Sequence, residues 1–216
     1  MSRDDENVAE ILTQANTDLQ NALAVVRSYL EQIRDRESFS RAERSWFRLI
    51  EGRVKDVPGV QRKIQQRKLK SVWDVDDLIG LRIVVATLSD ASDVASILAN
   101  DKSGPLELKR RDLNLPMGYR AIHFNGSLIR ASHTYGCEIQ VRTAVQDAWA
   151  VVSRQGLYQH DDLPPLLATT ALNESAHLAA SDQVFDAIMR EVLKPRSVER
   201  VAEPKHDAMG KDPQNV

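Results

Sequence analysis

DDLIGLRIVV, residues 76–85, sets two acids, a glycine and an arginine immediately before or inside an apolar, largely β-branched run. The run LRIVVAT, residues 81–87, is short and apolar throughout, which predicts a buried strand covered on both faces. Asp76 and Asp77 precede it, Gly80 is expected to let a neighbouring backbone approach closely, and Arg82 begins the strand. Taken alone, an Asp pair in such a place is more often a helix cap than a metal site.

Downstream, Ala91 to Asn100 reads as a crossover helix. Leu106–Leu113, Ile122–Arg130 and Cys137–Thr143 read as further strands, with SHTYG (132–136) as a hairpin loop between the last two. In Cys137–Thr143, Glu138, Gln140 and Arg142 share one face while Cys137, Ile139 and Val141 share the other. Polar groups on a central strand are costly unless they line a polar site. Helical pattern returns at 144–156, and an apolar-periodic stretch runs from Pro164 and Pro165 to Pro195.

Upstream, residues 6–36 read as one amphipathic helix with an apolar stripe from Val8 to Ile33, a candidate oligomer contact wherever the domain leaves it uncovered. A second helix is expected from Ser40, where Ser40 and Glu43 have capping-box spacing and Trp46, Phe47, Leu49 and Ile50 follow. Gly52, Pro58 and Gly59 interrupt it, and a short basic helix follows at 59–69. The chain is therefore expected to be α/β (α+β), with a central mixed β-sheet flanked by helices and with N-terminal and C-terminal helical additions. One domain over residues 1–195 is expected: an N-terminal helix at 1–38, a core at 40–160 and C-terminal helices at 161–195. A polar, disordered tail is expected at 196–216.

The 216 residues carry 29 Lys and Arg against 31 Asp and Glu, a net charge of -2, which disfavours a generally basic nucleic-acid binder. The single cysteine, Cys137, permits no intrachain disulfide and no Cys-based zinc site. No apolar window approaches membrane-spanning length, and the acidic start MSRDDENVAE does not resemble a signal peptide, so a cytoplasmic protein is expected. Within this balanced chain, residues 53–70 hold seven cations (Arg53, Lys55, Arg62, Lys63, Arg67, Lys68 and Lys70) against one acid, Asp56. A solvated helix face explains such a run; a polyphosphate site explains it more sharply, because phosphate charge needs fixed cations. In GYRAIHF (118–124), Gly118 permits an unusual backbone, and Tyr119 and His123 fall on one face of a strand. A base-stacking Tyr beside a phosphate-contacting His becomes plausible in the company of these carboxylates and cations.

Arg53, Lys55 and Lys63, then DLIGLR (77–82), GYRAIH (118–123) and EIQVRT (138–143), resemble in order and spacing the RelA/SpoT synthetase domain of the alarmone synthetases. The resemblance covers about residues 40–195 and looks like a small, single-domain member. It implies a nucleotidyltransferase-like mixed sheet of about five strands and transfer of pyrophosphate from ATP to the ribose 3′-OH of GDP or GTP. Carried over, Asp77 and Glu138 match the catalytic, magnesium-binding carboxylates. Arg53 and Arg82 match the arginines that stack on adenine, and Lys55 and Lys63 match ATP-phosphate contacts. Tyr119 matches the residue stacking on the acceptor guanine and His123 a phosphate contact, with Gln140 and Arg142 lining the same strand. The departures are Gly59 for the usual Ser, Leu115 for a Lys, and Ser153, Arg154 and Gln159 for Glu, His and Lys. The last three fall on the acceptor side in the family, and the departures keep two alternatives open. One is a toxin-type relative that pyrophosphorylates the tRNA 3′ end or an adenine nucleotide. The other is a non-catalytic nucleotide-binding homologue.

Overall fold

The computed structural model describes residues 3–40, 49–115, 118–130, 133–156 and 163–192. Its centre is a five-stranded sheet: β1 (Leu49–Val54), β2 (Ile79–Val85), β3 (Lys109–Asn114), β4 (Arg120–Arg130) and β5 (His133–Thr143). The strand order is β1-β2-β5-β4-β3. Only β2 and β5 run parallel; the other three pairings are antiparallel, so the sheet is mixed as expected. The helices are α1 (Arg3–Gln14), α2 (Asn16–Ser40), α3 (Val57–Arg67), α4 (Leu88–Asn100), α5 (Ala144–Gly156) and α6 (Pro165–Val192).

The two faces of the sheet differ because the sequence alternates. Leu81, Ile83, Val85, Phe124, Cys137, Ile139 and Val141 are buried in one cluster with Leu19, Ala22, Val26, Leu30 and Ile33 of α2 and Val94 and Leu98 of α4. Burial of each such side chain contributes about 1.5–3 kcal/mol. The intervening residues Arg82, His123, Glu138, Gln140 and Arg142 form the opposite, polar face. Leu12, Leu19, Ala22, Val26, Leu30 and Ile33 of the apolar stripe are thus buried in the domain's own core, whereas Val8, Ile11, Ala15 and Leu23 are only partly buried.

Several boundaries differ from the sequence reading. The first helix is two, since Ala15 stands between α1 and α2. Leu49 and Ile50 belong to strand β1 rather than to a second helix; the rest of that expected helix, 41–48, lies outside the described residues. A Cβ at Gly52 would come within 2.8 Å of Leu23 Cδ1 on α2, so any larger residue there must displace that side chain. The expected hairpin loop at 132–136 is mostly strand, as β5 begins at His133. Gly80 does not serve close approach, since a Cβ there meets nothing nearer than Arg53 Cγ at 3.9 Å. That role belongs to Gly136, where a Cβ would lie 2.4 Å from Val75 O and 2.6 Å from Asp76 Cα. β5 therefore starts pressed against the Asp76 turn. The tail at 196–216 lies outside the described residues. No described helix is long and apolar enough to cross a membrane.

Candidate active site

Register builds the site. Arg53 on β1 lies opposite Gly80 on β2, which lies opposite Glu138 on β5. The next row on the same face runs Glu51, Arg82, Gln140, His123 from β1 through β2 and β5 to β4. Residues directly opposite one another share a face of a sheet. Gly80 has no side chain, so a depression opens between Arg53 and Glu138. It is part of a cavity of about 290 Å³ lined by Arg53, Asp77, Arg82, Glu138 and Gln140, with Arg27 from α2 and Arg154 from α5.

Asp77 enters from the turn before β2. A single turn of 3-10 helix, Val72–Asp74, is closed by a reciprocal Ser71–Asp74 capping box and delivers the chain to Asp76 and Asp77. Neither acid caps a helix. Lys55 Nζ donates to Asp77 Oδ2 at 2.8 Å. Lys63 Nζ lies 2.8 Å from Asp77 Oδ1 and also contacts Asp76, which accepts from Arg67 Nη1 at 2.8 Å. The Lys63 contact with Asp77 is an ion pair without hydrogen-bond alignment, so Oδ1 keeps an unused lone pair. Burial raises the Asp76 carboxyl, but Lys63 and Arg67 outweigh it and hold the group below its ordinary value. Of the cations in the basic run, Lys55 and Lys63 meet at Asp77, whereas Arg62 is exposed. Gly59 lies in the first turn of α3, and its N–H donates to the N-cap Asp56.

On β5 the polar face is a connected network. His123 Nδ1 lies 3.0 Å from Glu138 Oε2, and Gln140 Nε2 donates to Glu138 Oε1. His123 Nε2 lies 2.9 Å from the Tyr119 hydroxyl, which accepts from Arg142 Nη2 at 2.6 Å. One proton placement satisfies both His123 nitrogens and the Tyr119 hydroxyl: Nδ1–H donates to Glu138, and the tyrosine donates to Nε2. Burial pushes the Glu138 carboxyl up, yet the His123 and Gln140 hydrogen bonds and the Lys63 charge bring it down to about 2. Burial also raises the Tyr119 phenol, against the pull of Arg142. Gly118, with φ of 77°, turns the chain into this strand, and a Cβ there would lie 1.4 Å from Ser175 Oγ on α6. The unusual backbone read from the sequence is present.

Three participants escaped the sequence reading. Asp147, in the first turn of α5, accepts from Arg82 Nη1 at 2.9 Å and from Arg142 Nη1 at 3.1 Å, joining two site arginines. Its place one helical turn after the strand carrying Arg142 was the available signal. Glu51 takes the other end of Arg82, and Arg27 reaches the cavity from a helix remote in sequence. Of the departures, Ser153 is fully buried and donates to Ala150 O, so it does not face the cavity, whereas Arg154 does. Gln159 lies outside the described residues.

A family model described as a region found in RelA / SpoT proteins matches residues 52–162. GTP pyrophosphokinase YwaC of Bacillus subtilis is 26% identical over 111 residues, which are 49% of this chain and 53% of that one. The chain thus spans about half the length of the curated relative it matches. Small alarmone synthetase 1 from Bacillus subtilis, solved with its product pppGpp, superposes with a TM-score of 0.74 at 22% identity, covering 85% of this chain and 98% of that one. A GTP pyrophosphokinase family protein from Streptococcus pneumoniae gives 0.73 at 22% identity, covering 89% and 96%. At these identities the structural likeness shows a shared fold.

Proposed function

The chain belongs to the RelA/SpoT family, and on that premise we propose that it is a cytoplasmic (p)ppGpp synthetase. It transfers pyrophosphate from ATP to the ribose 3′-OH of GDP or GTP. The acceptor 3′-oxygen attacks the β-phosphorus of ATP, the bond from that phosphorus to the α-phosphate oxygen breaks, and AMP and the hydroxyl proton leave. The observation that carries this reading is the meeting of Asp77 and Glu138 in one cavity with Arg53 and Arg82, next to Lys55 and Lys63. Transfer of this kind asks little covalent chemistry of a protein: it asks for aligned substrates and fixed charges. A relative whose solved form holds pppGpp supports the same acceptor.

Asp77 and Glu138 would hold Mg2+. They fit it, because both are oxygen donors on one cavity and Asp77 Oδ1 has no hydrogen bond. A bound ion there would supply charge neutralisation for the substrate phosphates. The chain's own groups do the rest. Lys55 and Lys63 take phosphate oxygens from positions already fixed by Asp77. Arg53 and Arg82 bracket adenine. The Tyr119 ring, steadied by the Arg142 guanidinium 5.0 Å from its centroid, stacks on the acceptor base. His123, Gln140 and Arg142 fix that ring and the acceptor phosphates.

Incubation with γ-labelled ATP and GDP, GTP, AMP or deacylated tRNA tests the reading. Label on GDP or GTP is expected, and it is lost in Asp77→Asn by about 10³-fold or more. Label on AMP or tRNA alone would replace the acceptor; label on none would leave a nucleotide-binding protein.

A further inference from the structure

Most charges around the cavity are already matched. Asp77 holds Lys55 and Lys63, Glu138 holds His123, and Arg82 holds Glu51 and Asp147. Arg27 has Glu31 and the Ile50 carbonyl. Among the described residues lining the cavity, two cations, Arg53 and Arg154, have neither a hydrogen bond nor an ion pair. Arg82, although both its terminal nitrogens are engaged, also keeps an Nε–H without an acceptor.

Arg154 stands in the last turn of α5, which lies across β2, β4 and β5. The groups whose charge it feels come from both halves of the site: Arg53 and Arg82 from the donor side, Arg142 and Tyr119 from the acceptor side. Partial burial and those three neighbouring guanidiniums work against its charge, while the residue stays exposed to solvent. Arg53, Arg82 and Arg154 line one cavity; Glu51 and Asp147 neutralise Arg82, so Arg53 and Arg154 keep charge that an anion between them would relieve. In the proposed reaction one anionic group must lie between donor and acceptor, namely the pyrophosphoryl group in transit.

We propose that Arg154 is a catalytic residue that contacts the transferred pyrophosphoryl group, its free guanidinium fork receiving the phosphate oxygens between the two half-sites. The residue stands where the family often has His, so the departure is a gained cation rather than a lost function. Guanidinium offers planar, paired donors that neither imidazole nor ammonium supplies. This inference rests on the synthetase reading above.

The experiment compares the full chain with Arg154→Gln, Arg154→Lys and Arg154→Ala. Readouts are kcat and KM for both substrates, affinity for AMPCPP by calorimetry, and the melting temperature of the free protein. For Arg154→Gln the expected result is a kcat lowered on the order of 100-fold, with AMPCPP affinity changed less than about tenfold. The melting temperature should be equal or higher, because like-charge repulsion is relieved. Lys should recover part of the loss, and added guanidinium should raise turnover of the Ala variant. An unchanged kcat, an AMPCPP affinity that falls as far as kcat, or a lowered melting temperature that accounts for the lost activity would each overturn the role. In all three of those outcomes the wild type still labels its acceptor, so the synthetase reading survives. A wild type that labels no acceptor overturns that reading and this role together.

Discussion

Replacing Glu138 by Gln keeps the shape of the side chain and removes its charge. The carboxylate accepts from two donors at once, His123 Nδ1 at Oε2 and Gln140 Nε2 at Oε1. A carboxamide has one oxygen and one NH2, so with the His123 proton kept on Nδ1 one of these donors must meet another donor. Turning the Gln140 amide around does not repair this, because its oxygen already accepts from Arg142 Nη2. If His123 instead carries its proton on Nε2, the carboxamide NH2 can donate to Nδ1 but the Tyr119 hydroxyl proton loses its acceptor; either way one donor is left unmatched, a cost of about 1–3 kcal/mol. The charge adds a pH dependence. The folded-state group titrates at about 2 against an ordinary value of 4.5, a difference of about 3 kcal/mol at most. A depressed carboxylate contributes stability that is complete above the ordinary value and is lost as pH falls through the folded one. The gap in urea-unfolding free energy between wild type and Glu138→Gln should thus be largest at neutral pH and shrink between pH 4.5 and about 2. A gap that is absent at neutral pH, or constant across that window, would refute the network. The substitution is consequently not a neutral probe of metal-dependent activity, and its turnover must be read beside its stability.

Lys55→Ala and Lys63→Ala should each weaken AMPCPP binding by about 1.5–3 kcal/mol in calorimetry, with Lys63→Ala also lowering stability because it removes the cation that Asp76 and Asp77 share, leaving them only Arg67 and Lys55 respectively. Tyr119→Ala should reduce acceptor affinity by about 1–3 kcal/mol, measured with GDP by calorimetry. Tyr119→Phe keeps the stacking face but loses the hydroxyl between Arg142 and His123, so it should restore acceptor binding only in part. Gly118→Ala should destabilise by more than about 1–3 kcal/mol in urea unfolding, since backbone strain is joined by collision with Ser175.

The parts of the fold legible in the sequence are those written in local pattern. The β-branched run of β2 and the alternation of β5 announced strands, and the same alternation announced which side would be polar. Tyr119 and His123 were placed together by strand spacing, and their 2.9 Å contact follows from it. What escaped depends on partners distant in the chain. Leu49 and Ile50 suit a helix as well as a strand, and only pairing with Ile83 and Val84 across the sheet decides between them. Gly80 looked like a site of close packing, whereas the missing side chain is what leaves room between Arg53 and Glu138. Asp147 and Arg27 carry no motif, and their place at the site depends on how α5 and α2 dock. Arg154 was visible only as a mismatch. The polarity of α6 is likewise inverted relative to a simple periodic reading: Ser175, Asp182 and Asp186 face inward, while Leu166, Phe185 and Ile188 are exposed. Asp182 accepts from Thr143 Oγ1 and Asp186 from Ser89 N, which explains the inward acids.

The parallel pairing of β2 with β5 also sets an order of events during synthesis. β1 precedes β2 closely and can pair with one edge of it as soon as both have emerged. The other edge belongs to β5, and about 50 residues must still be added before that strand appears, a few seconds at about 5–20 residues per second. Throughout that interval the segment IGLRIVV has an open row of backbone donors and acceptors. Such an edge recruits strands from other chains. Arg82, set in the middle of this segment for the site, also interrupts the apolar run with a charge, and so acts as a gatekeeper against intermolecular pairing while the nascent chain waits for β5.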